Sequence, residues 1–190
     1  MSGNAIGISL SLGYAGKVSR NNPENVIRSR MVKSILDGNG AETLAAVPFG
    51  FAVVLNIDNT YSKFGQTGAG VTAAAAAAFA GIAVAEVKQS MVLTYGANAA
   101  VGQYDPLMPC DVLRKGTATV YCKEGTPTAG GKVYLMTVAG DNAAVGEFVA
   151  TATPAGSGAT SVELTNCKWT TGKKDASGIC EVEIQYPVTA

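Results

Sequence analysis

The C-terminal two-thirds of the chain is punctuated. Short runs of branched and aromatic residues are separated by clusters of Gly, Pro, Thr, Asn and Ser roughly every ten residues. "GTATVYCKEGTPTAGGKVYLMTV" reads as two strands around a Gly/Pro/Thr loop. "VGEFVATATPAGSGATSVELT" repeats the arrangement with "PAGSGA" as its turn, and "NCKWTTGKKDASGICEVEIQY" repeats it again. "VPFGFAVVLNI" and the short "MVLTY" carry the same signature further upstream. Strands of this length with turns this frequent predict an all-β fold, a compact antiparallel β-barrel or β-sandwich. At 190 residues the chain is long enough for one domain with a substantial core.

One segment resists that pattern. Residues 65–85 carry no charge and include six consecutive alanines, Ala73 to Ala78. The stretch has the length of a membrane span, but four glycines interrupt it and no basic cluster flanks it, so no span is expected. "TGAGVTA" lacks the glycine spacing and the Gly-Lys-Ser/Thr ending of a phosphate loop. The alanines are too few to hold a helix alone. They read as a loop or a single helical turn that feeds a strand beginning near Ile82, in "IAVAEV".

Residues 1–45 differ from the rest. "AIGISLSL" alternates Ile6, Ile8, Leu10 and Leu12 with small residues, as an extended strand does. From Lys17 to Lys33 there are five bases and one acid, whereas the rest of the chain has nine bases and thirteen acids. A net charge of zero thus conceals a basic arm on a mildly acidic body. We therefore divide the chain into an arm, 1–45, and a β body, 46–190. "NNPENVIRSRMVKSILDG" is ambiguous. Asn22, Pro23 and Gly38 suit helix ends and Ile27, Met31 and Ile35 recur every four residues, yet Val26, Ile27 and Val32 are β-branched. The residues alone lean slightly to helix. The N-terminus has neither a basic n-region nor a continuous apolar core, so the expectation is a chain that stays in the cytoplasm where it is made.

The chain contains no histidine. That removes the Ser-His-Asp and Cys-His arrangements and the histidine metal sites. The four cysteines, Cys110, Cys122, Cys167 and Cys180, form no Cys-x-x-Cys pair, so no zinc site is expected. Cys180, Val182, Ile184 and Tyr186 alternate with Glu181, Glu183 and Gln185, which places Cys180 on the apolar face of a strand. By the same count Cys122 shares a face with Val120 and Ala118, and Cys167 shares one with Trp169. If the last hairpin turns at Lys173–Asp175, Cys167 and Cys180 fall nearly opposite each other and within reach of a disulfide; free thiols are the favoured reading. No metal, cofactor or catalytic residue is predicted.

The order of segments resembles a known family. "GYAG" at Gly13–Gly16, "NVIRSRMV", "VPFGFAVV" at Val47–Val54 and "FAGIAVAEV" at Phe79–Val87 come in succession. "YDPLMPCDVLRKGTATVYC" at Tyr104–Cys122 and "TAGGKVYL" at Thr128–Leu135 follow. The set resembles the structural cement, or capsid decoration, proteins of tailed bacteriophages, over most of the chain to about residue 138. The resemblance implies a virion protein on the capsid exterior, assembled in the host cytoplasm, with the major capsid protein as partner and a homotrimer as its state. It implies neither nucleic acid nor membrane as partner, and an extended "NVIRSRMV". Given that role, the alternation in Ile6–Leu12, the basic charge between Lys17 and Lys33 and the start of dense β-patterning only at Val47 make the arm the expected capsid interface, through Ile6, Ile8, Leu10, Leu12, Tyr14, Arg28, Arg30 and Lys33. Two rivals come from other classes. A glycan-binding surface module would want exposed aromatics, and Trp169 is the only tryptophan. A carboxylate hydrolase would draw on Glu181 and Glu183, which the alternation places together on an outward face.

Overall fold

The computed structural model describes residues 12–20, 23–85 and 102–185. The fold is nearly all β, a curled antiparallel half-barrel, as the turn spacing predicts. Eleven strands follow in order: β1 (Val26–Met31), β2 (Val47–Pro48), β3 (Ala52–Leu55), β4 (Tyr61–Lys63), β5 (Phe79–Ala83), β6 (Gln103–Tyr104), β7 (Pro109–Tyr121), β8 (Lys132–Val138), β9 (Phe148–Val149), β10 (Thr160–Trp169) and β11 (Ile179–Ile184). The main sheet runs β4-β3-β5-β7-β11-β10-β8-β9, β1 adds to β7, and β2 pairs with β6. No helix of the described residues is long and apolar enough to cross a membrane.

Strand β7 belongs to both halves. In its first half Leu113 lies between Ile27 of β1 and Ile82 of β5. In its second half Ala118 lies between Val182 of β11 and the bridge residue Val18. Gly116 sits at the change of partners, with φ of +121° and a position where a Cβ would stand 2.1 Å from Asn25 Oδ1. The inward side chains change there from odd (Leu113) to even (Ala118, Val120, Cys122), so the strand turns as it crosses from one half to the other. Gly81 of β5 allows a similar closeness, since a Cβ on it would lie 2.3 Å from the Leu113 carbonyl oxygen, at φ +149°.

Two apolar layers result. The main core is enclosed by both halves and holds Phe64, Phe79, Phe148, Leu135 and Trp169, with Phe79 edge-on to Phe148 at 6.3 Å. The other face of β3, β5 and β7 carries a second cluster, including Val32, Val53, Tyr61, Cys110 and Val112. The parallel bridge Val32↔Tyr61 draws the end of β1 back to β4 beside this cluster.

Several expectations need correction. β1 is a strand, so the lean to helix over Asn22–Asp37 was overruled: six residues of pairing with β7 outweigh the four-residue spacing, and the branched Val26 and Ile27 suit a sheet. β7 and β8 do not form a hairpin, nor do β9 and β10; β8 lies between β9 and β10, and β11 lies beside β7. Only the last of the three hairpins pairs as read, and its register differs. Cys167 faces Ile184, not Cys180. The cause is the turn at Asp175–Ile179, whose carboxylate Oδ1 accepts the N–H of Ser177 and of Ile179 and moves the bend beyond Lys173–Asp175. Glu181 is not solvated but buried beneath Arg20, 3.2 Å away. The alanines form one 3-10 turn, Ala76–Ala78, and the strand they feed begins earlier, at Phe79. "MVLTY", Val87 and Tyr186 lie outside the described residues.

All four cysteines are buried free thiols. Cys122, Cys167 and Cys180 face the main core and Cys110 the second cluster. The thiols that lie against each other are Cys122 and Cys180, on neighbouring strands: the hydrogen bond between them lowers the pKa of Cys122 and raises that of Cys180. Burial pushes Cys167 up to about 12 and Cys110 higher still.

Two outcomes follow. Gly81→Ala should cost more stability than Gly116→Ala in urea unfolding, about 3 kcal/mol against about 2, because the first meets fixed backbone and the second a side chain that can rotate. The second concerns pH. Cys110 and Cys167 stay protonated in the fold where the unfolded chain ionises, around the ordinary thiol value of 9.0, so the stability they contribute is complete well below pH 9 and lost progressively as pH rises above it. Between pH 9 and pH 10 each should cost the wild type about 1 kcal/mol more than it costs the matching Cys→Ala variant. Equal slopes in wild type and variants would contradict this.

Candidate functional site

Among the described residues no three His, Cys, Asp or Glu side chains come together as a metal site. What the fold does assemble is a surface, and it starts from β1. Val26 to Met31 pairs with β7 so that Arg28 stands opposite Val112 and Arg30 opposite Cys110. Opposed residues in an antiparallel pair share a face. Both arginines therefore lie on the face of the second cluster, and Arg114, two residues beyond Val112, lies there too.

Arg30 and Arg114 gather around Tyr61. The Arg30 guanidinium lies 5.7 Å from the centre of the Tyr61 ring, a cation–π arrangement. Burial raises the pKa of the Tyr61 hydroxyl, and the positive charges of Arg30 and Arg114 oppose that rise, which puts both near the phenol. The Nε atoms of Arg30 and Arg114 are buried and have no hydrogen-bond acceptor.

Five of the described cations are held in ion pairs. Arg20 pairs with Glu181, Lys33 with Asp58, Lys115 with Glu24, Lys123 with Glu147 and Lys132 with Glu163. Among the described residues none of Arg28, Arg30 and Arg114 has a carboxylate partner. The edge of β1 away from β7 is also open: beyond the Val32–Tyr61 bridge, no described strand pairs with it.

The residues expected at an interface are thus dispersed. Ile6, Ile8 and Leu10 lie outside the described residues. Leu12 donates its N–H to Asp175 Oδ2 at 3.1 Å, beside the last turn. Tyr14 is 44% exposed, and its carbonyl accepts the Thr119 hydroxyl at 2.7 Å on the second half of β7. Only Arg28 and Arg30 are brought together. Lys33 points elsewhere, with its Nζ 2.5 Å from the Asp58 carboxylate, which this bond holds at a pKa of about 2. Sequence reasoning missed Arg114. It sits in "DVLRKG" beside Lys115, and only the register with β1 separates the arginine from the lysine, which is already engaged by Glu24.

A profile of the XM1 gp53 minor capsid protein matches residues 3–184, nearly the whole chain. A chain from the capsid of Myoviridae phage XM1 has the same fold, with a TM-score of 0.62 at 18% identity, covering 97% of this chain and 98% of that one. No curated protein matches. The resemblance to phage capsid proteins drawn from the motifs is therefore supported across the length of the molecule. The chain belongs to the XM1 gp53 minor capsid protein family and is a structural protein of a phage virion.

Proposed function

We propose that the protein is a capsid cement, or decoration, protein. It binds the outer surface of the phage head as a homotrimer where major capsid subunits meet, and it stabilises those contacts. The observation that carries this reading is the arginine face of β1 and β7, where three arginines share one face with no carboxylate partner among the described residues and two of them bury an Nε without an acceptor. A shell repeats one junction many times, so a modest contact at each produces a large summed effect. Cementing requires no catalysis, and we assign none. A glycan-binding role is weaker on this surface, since Trp169 is buried in the core and not available to stack on a sugar.

Within that function we assign residues 1–45 to the capsid side, with Ile6, Ile8, Leu10, Leu12 and Tyr14 as apolar contacts and Arg28 and Arg30 as polar ones. An alternating extended segment can lie along a neighbouring sheet edge. Lys33 contributes least, because Asp58 already meets its charge.

The test uses purified heads that lack the protein. Wild type should bind them saturably, should be accessible to surface labelling on intact particles, and should raise the temperature at which heads open. Deleting residues 1–11 leaves the bonds made by Leu12, Tyr14 and Gly16 in place. The shortened chain should keep its circular dichroism and its melting temperature to within about 3 °C, yet bind heads at least about tenfold more weakly. Binding at unchanged affinity would remove the arm from the interface. Failure of wild type to bind at all would overturn the cement reading.

A further inference from the structure

Beside the arginine face lies an exposed apolar group. Met31 is 49% exposed, Leu107 63% and Met108 48%. The Val32 N–H donates to the Met108 carbonyl at 2.9 Å and the Leu107 N–H to the Val32 carbonyl at 3.0 Å, so the three residues lie near one another at one end of β1. Leu107 has φ of +66°, an unfavourable conformation for a residue other than glycine, and it presents an apolar side chain to water. Next to it two guanidinium Nε donors are desolvated without an acceptor. The exposed apolar side chains and the acceptor-less donors cost the isolated chain stability, and both are relieved by one kind of occupant.

We propose that this surface receives an extended, carboxylate-bearing segment of a neighbouring capsid subunit, which adds along the open edge of β1, sets carboxylates on Arg28, Arg30 and Arg114, and covers Met31, Leu107 and Met108. The proposal rests on the reading of the chain as a capsid-binding protein and names the partner's chemistry. Arginine's planar fork matches a carboxylate through two parallel hydrogen bonds, which a lysine cannot reproduce. Arg28 and Arg30 are two residues apart on one strand, about 7 Å, so an added strand offers them acids at alternate positions. The intervening residues of that segment face the side of β1 where Ser29 bonds the Asp111 carboxylate, which disfavours acids there. Methionine and arginine together are typical of protein interfaces. A nucleic acid backbone has no use for the apolar half of the surface, and the net charge of zero gives no long-range attraction to a polyanion.

The experiment has two arms. On heads lacking the protein, Arg28→Gln and the pair Arg30→Gln/Arg114→Gln should each weaken binding about tenfold or more, and Arg30→Lys/Arg114→Lys should recover less than half of that loss. Thermal melts establish that the variants fold. Should the pair unfold, the exposed Arg28→Gln and Met108→Asp decide alone, both weakening binding. Unchanged binding by the folded variants would overturn the proposal while leaving the cement reading intact. The second arm uses the purified full chain, labelled with nitrogen-15, and a synthetic Thr-Glu-Val-Glu-Val-Glu peptide. It should shift the amides of Ser29 and Met31 and the Nε signals of Arg30 and Arg114, whereas the Gln counterpart should not. A duplex DNA oligonucleotide of equal charge that shifts the same signals as strongly would show a general anion surface and overturn the proposal. This arm decides the proposal even if wild type fails to bind heads.

Discussion

One strand, β7, supports the architecture. Its thirteen residues serve two sheet halves, with β1 and β5 along the first part and β11 with the Val18 segment along the second. A strand hydrogen-bonded on both edges and packed on both faces has little freedom left, so whatever it fixes is fixed for its neighbours. The turn at Gly116 lets one strand do this, because the backbone there takes a conformation closed to side-chain-bearing residues and lies against Asn25. Main core and second cluster are thereby placed on opposite faces of the same five residues, Cys110 to Arg114, with Leu113 in one and Val112 in the other.

The surface chemistry follows from that placement. Because β1 runs along the first half of β7, Arg28 and Arg30 share a face with Arg114, and Arg30 lies over Tyr61. Five other described cations pair internally, and one of these pairs buries Glu181 beneath Arg20. Surface ion pairs contribute little to stability, but they neutralise charges that would otherwise seek partners. An isolated domain gains nothing from leaving three arginines unmatched and two Nε atoms buried without acceptors. A subunit of a repeated shell does gain, since the missing acceptors can be supplied at every junction.

Much of this was legible in the sequence, though not evenly. Alternation in Cys180–Ile184 put Cys180, Val182 and Ile184 in the core, and the same period placed Cys122 with Val120 and Cys167 with Trp169. Period and turn spacing depend on local geometry, so they survive reading by eye. Partner choice does not. The runs that looked like hairpins at β7–β8 and β9–β10 pair with other strands, because a Gly-rich loop of that length permits a crossover as readily as a return. The register of β10 with β11 turned on a single carboxylate, Asp175, holding the bend. The basic count between Lys17 and Lys33 pointed to a charged arm, but which of its charges remain unpaired depends on Asp58 and Glu181, distant in sequence. Arg114 joins the arginine face only through the β1 register, which no local pattern encodes.

The claim that β7 unites the two halves is tested most directly by native-state hydrogen exchange. The amides of Val112 and Leu113, before Gly116, and of Ala118 and Val120, after it, should exchange only through global unfolding, with the same free energy and the same denaturant dependence on both sides of the glycine. If one side opens at a distinctly lower free energy than the other, the halves unfold separately, and β7 is two strands in succession instead of one shared support.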